Sequence, residues 1–160
     1  FQYLLSLLPV FVKLQAKFEV SFVAVGANEN AVLGTPIVAR QWSEASEVAQ
    51  IQSFDIGLMP LPDSDWERGK CGYKLIQYMA CGLPVVASPV GVNNQIVTQG
   101  ENGYLANDLS EWEAYLTELL CNAELRQKLG ENGRKKVEST YSLQAQRPRL
   151  AEIFRSVSNK

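Results

Sequence analysis

Two lysines flank Cys71-Gly72-Tyr73 in the stretch Gly69-Lys70-Cys71-Gly72-Tyr73-Lys74-Leu75-Ile76-Gln77. The apolar positions that follow, Leu75, Ile76, Met79, Ala80 and Leu83, recur with helical period and predict a helix starting near Gly72 or Tyr73. The first N–H groups of a helix lack internal partners and carry partial positive charge. Glycines at Gly69 and Gly72 let an anion approach that backbone closely. Lys70 and Lys74 add full positive charges where the helix dipole disfavours them, unless an anion binds there. Phosphate is the natural candidate. Lys74, Gln77 and Cys81 share one face of the helix. Gln77 stands one turn deeper than the anion, where its amide can both donate to and accept from ribose hydroxyls. The plain alternative is a pair of solvated lysines and a glutamine filling a gap, and the stretch by itself leaves both open.

A phosphate site of this kind needs a sheet to carry it. Val20–Val25 form a nearly continuous apolar run closed by Gly26, as expected of a strand buried on both faces. Further strands are predicted in TPIVARQW, DIGLMPL, PVVASPV (residues 84–90) and GYLA (103–106). Helices are predicted between them: over SEASEVAQIQSF with Ser43 at its cap, over the opening stretch, and from Leu109 onward with Ser110 as cap. Gly82 and Pro84 stop the lysine-bearing helix. Gly130 and Gly133 punctuate the helical tail, and Pro148 starts or kinks its last helix. Asn102-Gly103 reads as a turn tolerating positive φ. Strands alternating with helices imply βαβ units, hence an α/β fold: a Rossmann-like parallel sheet with helices on both faces and a helical C-terminal tail. In such sheets ligands bind beyond the carboxyl ends of the strands. Arg40 and Glu47 lie near one such end, within reach of a base or ribose, with a solvated surface pair as the alternative. Asp63, Asp65 and Glu67 are expected to form a solvated acidic loop, not a metal site.

Composition narrows the function classes. The chain has 160 residues, 46% of them apolar, and a formal net charge of −2. That is enough for a packed core and gives no sign of a nucleic-acid-binding face. Histidine is absent, which removes the commonest general base and metal ligand. Cys71, Cys81 and Cys121 form no CxxC pair and fit reduced thiols of a cytoplasmic protein. The leading FQYLLSLLPVFVKLQAKF is interrupted by Gln2, Ser6, Pro9 and Lys13, so it fits a buried or amphipathic helix bent at Pro9 better than a membrane span, with a membrane-surface role as the alternative.

The stretch GYKLIQYMACGLPVVASPVGVNNQIVTQGENGYLA, followed by LRQKLGENGRKKVESTYSL and preceded by SFDIGLMPLP, resembles the donor-binding domain of group 1 glycosyltransferases of the GT-B fold. Helix, Gly-Leu-Pro, strand and Asn-Gly turn occur in the family's order. The resemblance implies one half of a two-domain enzyme, residues 1–160 being the C-terminal, nucleotide-sugar-binding half. The family's first strand and its phosphate-contacting loop, and the N-terminal acceptor domain, are expected to precede it, and the sheet edge thereby left unpaired is expected to favour self-association. It implies transfer of a sugar from a nucleoside diphosphate to a glycan, lipid or small-molecule acceptor, with retention and without a metal or other cofactor. Lys70 and Lys74 would stabilise the departing diphosphate; Gly69, Gly72, Tyr73, Leu75, Gln77 and Arg40 would line the donor site. The family often carries two glutamates eight positions apart. Gln77 takes the second position and Gly69 the first, with Glu67 two residues away, which is best taken as variation within the family. A cytoplasmic location is implied, with peripheral membrane contact through the other domain. Two rivals remain: a Rossmann-like nucleotide-binding or interaction domain without catalysis, and a receiver-like signalling domain. The latter needs a phosphoacceptor Asp at a strand end, whereas Asp55 begins its strand.

Overall fold

The fold follows from where the apolar runs end. In a computed structural model describing residues 2–158, Val85, Val86 and Ala87 form a strand, β4, in which no residue is exposed. Successive strand residues point to opposite faces. Val86 therefore packs with Tyr104, Trp112 and Leu116 on one face, while Val85 and Ala87 pack with Leu75 and Met79 on the other. Helices must cover both faces, and they do.

The first face is covered by α1 (Leu8–Gln15) and α7 (Leu109–Cys121). A 3₁₀ segment, Gln2–Leu7, leads into α1, and Pro9 sits in its first turn, where a missing N–H costs nothing. The expected mid-helix bend is thus a helix start. The second face is covered by α5 (Tyr73–Ala80) and α8 (Ala123–Lys136). Between these lie β1 (Phe22–Val25), α2 (Glu29–Val32), β2 (Ile37–Arg40), α3 (Glu44–Gln52), β3 (Gly57–Met59), α4 (Asp65–Arg68), α6 (Asn93–Ile96) and β5 (Gly103–Leu105). α9 (Leu143–Ser158) follows a π turn at Val137–Tyr141 and buries no residue.

All strand pairs are parallel, as expected, but their hydrogen bonds form two pieces: β1 pairs with β2, and β3–β4–β5 form a second ladder. No bond joins β1 to β3 among the described residues.

Several local expectations are corrected. Asp108, not Ser110, caps α7: its carboxylate accepts from the Ser110 and Glu111 N–H groups. Gly130 and Gly133 do not break the tail; α8 runs through both. A side chain at Gly130 would collide with the Gly82 carbonyl, so the glycine is what lets α8 lie against the end of α5. Asn102 has ordinary backbone geometry, and Gly100 supplies the left-handed residue of that turn. The Asn102 side chain is buried, accepting from the Thr98 N–H and donating to Ile96 O. Of the two readings of Pro148, starting or kinking the last helix, its place inside α9 excludes the first. Ser43 caps α3 as expected, and α5 closes with the Gly82 N–H on Met79 O and the Leu83 N–H on Tyr78 O.

Candidate functional site

α5 starts where its sequence requires. Gly72 stands before it at φ 67°, and a side chain there would strike Ile96 of α6, so only glycine serves. The Leu75 and Ile76 N–H groups both turn back to the Gly72 carbonyl. The N–H groups of Tyr73 and Lys74, as first residues of the helix, have no intrahelical acceptor. Like all helix N–H groups they point out of the helix start, along the positive end of the dipole.

Lys74 and Gln77 meet α3 on the shared face. Lys74 Nζ lies 3.4 Å from Glu47 Oε1. The Trp42 side chain, then Gln77 and Lys74, hold the Glu47 carboxyl below its usual range, against partial desolvation. Gln77 Oε1 is buried with no partner in the protein. Trp42, 55% exposed, follows the end of β2 and lies against Gly26 at the end of β1. Arg40 donates to Ser53 Oγ at 3.2 Å, and its guanidinium stands 5.7 Å from the Phe54 ring centre. Arg40, Trp42, Glu47 and Lys74 line the mouth of one cavity of about 410 Å³.

Lys70 is not part of that mouth. Its Nζ donates to Tyr3 Oη at 3.3 Å and sits 4.7 Å from the Tyr3 ring centre. Tyr3 Oη in turn donates to Glu67 Oε1 at 2.6 Å, and Ser64 Oγ donates to Glu67 Oε2. Glu67 is therefore not part of a solvated loop: it is 7% exposed, and Ser64 first, then Tyr3, hold its carboxyl below the usual range. Asp63 and Asp65 pair with Arg68, and the described residues include no cluster suited to a metal ion.

The structure thus unites Lys74, Gln77, Arg40 and Glu47, adds Trp42, and ties Lys70 to the first helical segment. Gly69 is an exposed cap of α4, and Tyr73 is 61% exposed at the helix start. Leu75 departs from expectation. Its side chain is wholly buried against Met79 and Val85, and its N–H is engaged by Gly72, so nothing of it remains for a donor. Sequence reasoning passed over Tyr3, which acts on residues 64 and 67 positions away with no local signal. An exposed Trp directly after a strand end was the available signal for Trp42.

Parallel strands, covering helices and cationic groups at the carboxyl ends define a Rossmann-like α/β domain with an anion-capable helix start. Residues 2–122 match the family described as glycosyl transferases group 1, and the chain belongs to that family. It is 35% identical over 85 residues to spore coat protein SA of Bacillus subtilis, a match covering 51% of this chain and 22% of that protein. The chain therefore spans a small part of the length of its curated relatives. Its fold is that of the C-terminal domain of a group 1 glycosyl transferase family protein, LpcC, from Francisella tularensis: TM-score 0.68, 20% identity, 86% of this chain and 77% of that one covered. HepE from Anabaena, solved with UDP and glucose, superposes with TM-score 0.73 at 15% identity, covering 92% of this chain and 44% of HepE.

Proposed function

We propose that this chain is the nucleotide-sugar-binding half of a glycosyltransferase. The observation that carries this is the Lys74–Glu47–Gln77 cluster, set at the carboxyl ends of parallel strands in a chain of this family. Lys74 and the free N–H groups of α5 hold the diphosphate. Gln77 and Glu47 face the ribose hydroxyls, and Trp42 and Arg40 border the base. As the bond from the anomeric carbon to phosphate oxygen breaks, negative charge grows on the departing nucleoside diphosphate. Lys74 and the helix start stabilise it, and Lys70 joins them once it leaves Tyr3. This charge supply requires no metal. The sugar passes with retention to an acceptor hydroxyl held by a second domain, against which the apolar stripe of α9 (Leu150, Ile153, Phe154 and Val157, all exposed) packs. Transfer takes place in the cytoplasm, with membrane contact made through that second domain.

The test is a thermal-shift panel of nucleoside diphosphates against their parent nucleosides. A dissociation constant of about 100 μM gives, at about 1 mM ligand, roughly 1.4 kcal/mol and a rise of about 3–5 °C. The nucleosides shift it less. If no nucleoside diphosphate stabilises the chain, the proposal fails. Binding without transfer by a complete two-domain protein supports instead an interaction domain that has lost catalysis.

A further inference from the structure

Glu67 and Lys70 are neighbours that do not pair. Glu67 is buried on α4, and the Lys70 N–H donates to its carbonyl at 3.1 Å, so the two side chains rise from one turn of chain. A buried carboxylate demands partners, and a lysine this close ordinarily supplies one. The structure shows another arrangement. Tyr3 Oη donates to Glu67 Oε1 at 2.6 Å, and Ser64 Oγ donates to Glu67 Oε2. Lys70 Nζ donates to the same Tyr3 oxygen at 3.3 Å and lies 4.7 Å from the centre of its ring. Among the described residues Lys70 makes no ion pair, whereas Lys74 has Glu47 at 3.4 Å. The two hydroxyls account for the state of the carboxyl: Ser64 first, then Tyr3, hold it below its usual range, and the charge on Lys70 contributes least. Nor can α4 carry the carboxylate away. A side chain at Gly91 would strike the Arg68 carbonyl, so the chain before α6 lies directly against α4, and Arg68 is paired with Asp63 and Asp65.

We propose that Tyr3 is a positioning residue: its phenol stands between Glu67 and Lys70, meets the carboxylate with its own O–H, and so keeps the ammonium out of an ion pair and free for a diphosphate at the start of α5. This role rests on the phosphate site proposed above. The contacts that hold the ammonium are a neutral oxygen and a ring face, both weaker than a carboxylate, and they leave it N–H donors for an anion. Lys70 therefore turns to an arriving phosphate at small cost. Closed on Glu67, it would first have to break a charge-assisted pair and leave a buried carboxylate without its cation. Tyr3 acts only through Lys70 and touches no ligand itself.

The test is calorimetric titration with inorganic pyrophosphate, which carries the charge without base or ribose. Tyr3→Phe keeps the ring and deletes the bridge, so Lys70 closes on Glu67 and the dissociation constant rises by at least about fivefold. Adding Glu67→Gln removes the carboxylate on which Lys70 closes and restores the native constant to within about twofold. With Tyr3 in place, Glu67→Gln gains less than about threefold, so the rescue exceeds what loss of a nearby negative charge brings by itself. In a Lys70→Ala background, itself weaker by about tenfold or more, Tyr3→Phe adds less than about twofold. A merely structural tyrosine gives no such rescue and no such dependence on Lys70. Carbon NMR of the Glu67 carboxyl reads the pairing without ligand: Lys70→Ala raises its titration midpoint by about one pH unit or more in the Tyr3→Phe background, and by clearly less with the phenol present. Equal or tighter pyrophosphate binding by Tyr3→Phe overturns the proposal, as does a loss that Glu67→Gln fails to restore, or a Glu67 midpoint that responds to Lys70→Ala equally in both backgrounds. A native chain that binds no pyrophosphate overturns the phosphate site, and this role with it.

Discussion

Lys74→Ala separates an anion site from a surface ion pair. In the free protein Lys74 Nζ stands 3.4 Å from Glu47 Oε1, with the two side chains 44% and 24% exposed. A pair this long and this solvated contributes little to stability, so the melting temperature moves by no more than about 2 °C. Ligand affinity responds differently. A charge-assisted contact to phosphate is worth roughly 1.5–3 kcal/mol, about tenfold to a hundredfold in the dissociation constant. Removing the ammonium also leaves the Glu47 carboxylate beside the diphosphate with no cation between them, which pushes the loss toward the upper figure. Glu47→Gln has the opposite sign for that part of the ligand: it frees Lys74, so the gap between diphosphate and nucleoside affinities widens, while nucleoside affinity itself falls with the lost ribose acceptor. The assay is calorimetric titration of each variant with a nucleoside diphosphate and its nucleoside, at low and high salt. Screening shrinks the Lys74 effect and leaves the ribose effect in place. Equal losses of nucleoside and diphosphate on Lys74→Ala would refute the phosphate assignment, and a collapse of the melting temperature would make the lysine structural.

Gln77→Leu deletes an acceptor that is buried without a partner; stability holds or rises while nucleoside affinity falls, and a variant that binds nucleotide normally removes Gln77 from the ribose site. Gly130→Ala gains helix propensity but drives a methyl into the Gly82 carbonyl; overpacking of about 1–3 kcal/mol wins, and differential scanning calorimetry shows a melting point lower by several degrees. Burial pushes the Tyr78 phenol up to about 12, and the Tyr104 phenol likewise. The contribution of each is therefore fully present below pH 10, where the unfolded tyrosine ionises, and is lost as pH rises through 12. Denaturant titrations show stability lost over that interval, and Tyr78→Phe removes at most about 3 kcal/mol of that loss, leaving the part due to Tyr104. The 160-residue chain, assayed with nucleotide sugars and candidate acceptors, transfers no sugar above background; transfer would place the reacting groups on this domain.

The sheet was legible because its strands are short apolar runs bounded by Gly and Pro, and α5 because five apolar positions repeat with helical period. Gly72 was legible as a helix start for the same reason. The content of the site was only half legible. Lys74 and Gln77 share a face by spacing alone, but Glu47 reaches them from α3, 27 residues away from Lys74. No periodicity reports a contact between two helices. Lys70 shows the limit most clearly. Its sequence position equals that of Lys74 as a cation near a helix start, yet Tyr3 and the buried Glu67 hold it, through bonds that span 67 and 64 positions. Leu75 failed for the opposite reason: the stripe that predicted the helix also predicted its burial, and burial takes precedence over a place in the donor site. Gly130 and Gly133 were misjudged because glycine in a sequence marks either a break or a close approach, and only the neighbouring chain decides which.

The cavity joins these questions. Glu47 stands on α3 and Lys74 on α5, and both line it, as do Ile51 of α3 and Tyr78 of α5. A nucleotide bound by both side chains is held by both helices and resists their separation. Amide hydrogen exchange in α3 should therefore slow when a nucleoside diphosphate binds, and Lys74→Ala should remove most of that protection at equal ligand concentration. Exchange in α3 that saturating ligand leaves unchanged would show that α3 is held without the nucleotide and would take Glu47 out of the ribose site.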